Sequence, residues 1–80
     1  MAPLGAENVA ELIIDQFLKE PVQITPEDGK PKNEEIEKVT QQIKVSMTGN
    51  VATKTVTVVF KLKTGSEVKV VKVITKTYNL

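Results

Sequence analysis

The side chains with intrinsic chemistry are few and badly equipped to perform it. Ser46, Ser66 and Tyr78 carry hydroxyls, but the chain has no histidine to take their protons or to ligate zinc. It also has no cysteine, which removes thiolate nucleophiles, thiolate metal sites and disulfides together. Glu34, Glu35 and Glu37 form an acidic cluster, yet adjacent carboxylates on an extended chain point to opposite sides. Asp28-Gly29 lacks the regularly spaced acids of a calcium loop. A lysine–carboxylate pair could exchange protons, but so small a domain has little room for a pocket of about 300 Å³. The expectation is a protein that is not an enzyme, with no catalytic residue, cofactor or metal.

What remains is charge and apolar surface. Residues 1–40 carry nine acids against four lysines, and residues 41–80 carry seven lysines against Glu67 alone, so −5 faces +6 along the chain. Every cation is a lysine. Bidentate recognition of phosphate, carboxylate or guanine would call for arginine.

These groups must be positioned by few elements, because 80 residues make one domain with a thin margin of stability. Met1 to Gly5 reads as a tail. Val9, Leu12, Ile13 and Phe17 then recur at helical spacing, with Ala10, Ile14 and Leu18 widening the apolar face. Asp15 and Lys19 make a favourable i,i+4 pair. Pro21 forbids helical geometry at Glu20, so the helix spans about 6–20. A helix this apolar wants a deep groove or two neighbours.

Residues 21–38 read as an exposed connection. Val22 and Ile24 could add a short edge strand. Thr25-Pro26-Glu27-Asp28-Gly29 fits either one capped helical turn or a plain β-turn. The stretch Asn33–Met47 fits both a helix, with Ile36, Val39 and Ile43 on one face, and a strand, with Val39, Gln41, Ile43, Val45 and Met47 on one face. A strand from about Val39 is favoured.

The rest alternates as β. Val56, Val58, Phe60 and Leu62 point inward, with Thr55, Thr57, Lys61 and Lys63 outward. Thr64-Gly65-Ser66 is expected as a three-residue hairpin loop, setting Leu62 opposite Val68, Phe60 opposite Val70 and Lys61 opposite Lys69. A two-residue turn at Gly49-Asn50 would oppose Val45 to Lys54, so a longer loop from Thr48 to Thr53 is expected. The fold class is α+β: an N-terminal helix on a three-stranded antiparallel meander over about 39–78.

The third strand breaks phase, because Val70 and Val71 are adjacent and Val71 and Val73 fall opposite Val68, Val70 and Ile74. Either a β-bulge or exposed valines would account for this, as would burial against another chain. Lys61, Lys69 and Lys44 suggest a basic outward patch, which serves as a solvated guard against aggregation or as a docking face.

The expected function is therefore a protein-interaction or assembly subunit, docking on itself or on a larger complex, with a homo-oligomer expected. Its contact residues would be Val71, Val73, Lys61, Lys69 and Lys72 on the sheet, with Ile14 and Leu18 on the helix. Its size and β-richness also fit a minor component of a large particle, such as a viral assembly. The alternative is nucleic-acid backbone binding by the lysines, weakened by the scarcity of exposed aromatics for stacking. No apolar run approaches a membrane span, and no lipidation signal is seen at Ala2 or at Tyr78-Asn79-Leu80, so a soluble cytoplasmic protein is expected.

Overall fold

The computed structural model describes residues 6–79; the tail expected over 1–5 lies outside them. Helix α1 spans Ala6–Lys19, and strands β1 (Ile36–Thr48), β2 (Val51–Leu62) and β3 (Glu67–Thr77) form an antiparallel sheet in the order β1-β2-β3. The expected architecture, one helix on a three-stranded meander, is what the chain adopts.

The two hairpin turns set the register, and both overturn the expectation. At Gly49-Asn50 the turn has only two residues, opposing Thr48 to Val51 and Val45 to Lys54. Gly49 has φ 62° while Asn50 stays at negative φ, so glycine holds the first central position, as a type II′ turn requires. The longer Thr48–Thr53 loop was expected only because Lys54 looked unfit for an inward position, and Lys54 takes that position. At the second hairpin, Gly65 has φ 95°, its N–H donates to the Leu62 carbonyl at 2.9 Å, and the Leu62 N–H donates to the Ser66 carbonyl at 2.8 Å. The loop is therefore Lys63-Thr64-Gly65, with glycine last, where a left-handed residue closes a type I turn. Relative to the expected pairing, β3 slides by two residues: Phe60 faces Val68, Val58 faces Val70, and Lys61 faces Glu67 rather than Lys69. A slip of two keeps every side chain on its expected face.

The ambiguous stretch after Asn33 is a strand, and it starts earlier than Val39. A single 3₁₀ turn at Asn33–Glu35 leads into β1 at Ile36, with a register irregularity between Ile36 and Lys38. From Val39 the apolar alternation then matches β2 residue for residue, which a helix could not do.

One face of the sheet is covered. A 14-residue helix is about 21 Å long, whereas a 12-residue strand runs about 40 Å, so α1 covers about half the sheet. Ile13 and Phe17 pack on Ala52 with Val9, Val45, Met47, Ile74 and Tyr78 around them. The other half, Val56, Val58, Phe60 and Val70, is covered by Val22 and Ile24. The connection expected to be an exposed loop is thus half of the covering layer, extended but unpaired as a strand. Leu12, expected in the core, is exposed on the helix. Its position places it about 100° around from Val9, Ile13 and Phe17, on the flank of the buried stripe.

Candidate functional site

The covered face holds three lysines, and each has an internal partner. Lys54, the fourth residue of β2, is fully buried. Its ammonium donates to the Phe17 carbonyl at 2.7 Å and to the Glu20 carbonyl, and lies 5.4 Å from the Phe17 ring centre. The last carbonyls of a helix lack intrahelical donors and carry the negative end of its dipole, so a cation placed there serves as a cap. Burying an ammonium costs several kcal/mol unless it is bonded, and these carbonyls with the ring provide the bonding. Lys54 fixes where α1 ends on the sheet.

Lys72 does the same for the connection. Its Nζ lies 3.0 Å from Asp28 Oδ2 and 3.0 Å from the Gln23 carbonyl. Asp28 closes the single 3₁₀ turn Pro26–Asp28: its Oδ2 accepts from the Thr25 N–H at 2.9 Å and from the Thr25 hydroxyl at 3.0 Å. Gly29, at φ 103°, ends that turn. The Thr25 N–H first, then the Lys72 ammonium and the Thr25 hydroxyl, hold the Asp28 carboxyl below the ordinary carboxylate range. Lys76 bonds Glu20 at 2.8 Å, and that carboxylate raises the Lys76 ammonium above the ordinary lysine value.

No element among the described residues covers the opposite face. β1 presents Lys38, Thr40, Gln42, Lys44, Ser46 and Thr48 there. β2 adds Val51, Thr53, Thr55, Thr57, Val59 and Lys61; β3 adds Glu67, Lys69, Val71, Val73, Thr75 and Thr77. Val71 and Val73 are 55% and 59% exposed. β3 pairs with β2 without interruption, so its broken phase is not a bulge. The alternation is regular, and Lys72 occupies a covered-face position between Val70 and Ile74.

Of the residues expected to make contacts, Val71, Val73, Lys61 and Lys69 therefore share the open face. Lys72 does not: it points the other way and is tied to Asp28, so it leaves the contact set. Ile14 is half-buried and Leu18 is exposed, both on α1 at the far side of the molecule from the open face. Four lysines, Lys38, Lys44, Lys61 and Lys69, remain on the open face against Glu67, and none of them forms an ion pair among the described residues. Lys54 was the functional residue missed, although it alternates in step with Ala52, Val56, Val58 and Phe60.

Neither depression on the surface gathers chemistry. One of about 190 Å³ lies on the open face between Thr40, Gln42, Thr57 and Val59. Another of about 240 Å³ lies beside β1 between Ile24, Val39 and Phe60, with Lys30 at its rim. Among the described residues no group of three or more acids is placed to hold a metal ion. No helix among them is long and apolar enough to cross a membrane. Comparison of the chain with protein-family models, curated proteins and solved structures finds no match.

Proposed function

We propose that this protein is a non-enzymatic assembly subunit whose open sheet face is the surface that docks on protein. The observation that carries the reading is the pair Val71 and Val73, neighbours on one side of the outer strand β3, each more than half exposed on a face that no element among the described residues covers. A sheet is stable with one face in water when that face is polar. Here the threonines and lysines meet that condition, and of the valines on the face Val71 and Val73, the most exposed, break it. Val71 and Val73, with Val59 diagonal to Val71 on β2, make a small apolar patch along the β3 edge that threonines and lysines flank within the sheet, a mixture of apolar and polar contact suited to a protein interface.

Light scattering after size exclusion, at low and high salt, tests this on the parent and on a Val71→Thr, Val73→Thr double variant. The parent is expected to form a multimer that the double variant loses while keeping its fold. A multimer unchanged by the two threonines would remove the open face from the contact. A monomeric parent at every concentration would reject self-association.

The four unpaired lysines of the same face support a second reading, contact with nucleic-acid backbone. It predicts binding to a single-stranded oligonucleotide that falls steeply with salt and shows little sequence preference. An anisotropy titration flat at low salt dismisses it.

A further inference from the structure

The open face has a definite shape and sign. It is three strands wide, about 10 Å between the outer strand axes, which is the diameter of a single α-helix. With Lys38, Lys44, Lys61 and Lys69 against Glu67, it carries +3. A face-to-face pairing of two such sheets would set like charges together. The counterpart of opposite sign lies on α1, which carries Glu11 and, bonded to Lys19, Asp15.

The outward side of α1 also matches in spacing. Ile13 and Phe17 face the sheet, which turns Glu11, Asp15 and Leu18 outward with Ile14 on the shoulder. Ile14 and Leu18 are one turn apart, about 6 Å along the axis. Val71 and Val73 are about 6.6 Å apart along β3. Continuing one step back from each pair brings Glu11 on the helix and Lys69 on the strand.

We propose that the occupant of the open face is helix α1 of a second copy of this chain. It lies parallel to β3, with Ile14 over Val71, Leu18 over Val73 and Glu11 beside Lys69. The pairing rests on the open face being the docking surface proposed above. Each α1 keeps Val9, Ile13 and Phe17 on its own sheet and offers its outer side to the next, so it gains two neighbours. The two surfaces are different patches of one chain, so the contact is heterologous and closes into a ring or extends into a filament.

Charge exchange tests the pairing by concentration-dependent light scattering at low salt, with circular dichroism to show that each variant is folded. Glu11→Lys and Lys69→Glu are each expected to lower the association constant roughly tenfold, and the double variant to restore most of it. Leu18→Lys, at an exposed position, is expected to abolish assembly. If the Val71→Thr, Val73→Thr variant loses assembly while Glu11→Lys and Leu18→Lys keep it, the helix is not the occupant and the open face remains the contact. If none of these substitutions changes the mass, both the pairing and the docking face fall. A parent that stays monomeric at all concentrations overturns the pairing outright.

Discussion

The two faces of this sheet use the same residue type for opposite ends. On the covered face, Lys54, Lys72 and Lys76 each reach a particular partner: the last carbonyls of α1, Asp28 with the Gln23 carbonyl, and Glu20. On the open face, Lys38, Lys44, Lys61 and Lys69 form no ion pair among the described residues. The valines divide in the same way. Val56, Val58 and Val70 are buried under the connection, whereas Val71 and Val73 stand in solvent. The covered face shows that a lysine in a β-strand can be a fastener: three of them hold down the two segments that make up the second layer. The open face is richer in threonine, and no such segment lies over it among the described residues, which is what makes it the docking surface proposed above.

The contrast can be broken by substitution, and the largest effect is expected at the helix. Phe17 is buried against Ala52 and lies close to the ammoniums of Lys54 and Lys76. Phe17→Ala should cost about 3–5 kcal/mol by urea denaturation. Val71→Ala on the open face should stay within about 0.5 kcal/mol. Equal losses at the two sites would mean that the open face is not open in solution.

A smaller effect sharpens the role of the buried lysine. Lys54→Met keeps most of the side-chain volume and removes the cap, so it should cost about 1–3 kcal/mol. The loss should appear first as fraying at the C-terminal turn of α1 in amide hydrogen exchange. Uniform loss of protection over the whole sheet would show that Lys54 matters as core filling and not as a helix fastener.

The smallest effect is expected from pH, at the Asp28–Lys72 contact. Because the folded carboxyl is held below its ordinary value, it contributes stability that is fully present above the unfolded pKa, near 4. That stability is lost as pH falls through the lowered folded value. The denaturation midpoint of the parent should therefore drop on acidification below about pH 4 more steeply than that of Asp28→Asn. Parallel curves for the two proteins would exclude this carboxyl from the acid limb.

Legibility in the sequence tracked how local the governing physics was. Pro21 ended the helix where steric conflict required, and the alternation from Val39 to Tyr78 assigned nearly every side chain to its face. Thr25 and Asp28 left one capped helical turn and a plain β-turn both open, and the chain takes the capped 3₁₀ turn. Hairpin register was less accessible, since it depends on which loop position takes the left-handed conformation, and Gly65 was placed one step too early. The exposed valine pair of the candidate site was visible, because it follows from period two alone. That Lys72 belongs to the other face was masked by reading a phase break where the strand runs regularly.

By itself the sequence determined the helix, the second and third strands, most of their inward sets and the charge split, which follow from periodicity and composition along neighbouring residues; over 33–47 periodicity fitted a helix as well as a strand, and pairing with β2 decided for the strand. Only the tertiary structure decided that Val22 and Ile24 lie over the sheet, that Lys54 can be buried, and that one face is left bare. Those outcomes depend on groups 34 to 49 residues apart in the chain meeting in space. A buried ammonium is unfavourable in any local view, and becomes tolerable once the end of a distant helix supplies the carbonyls that bond it.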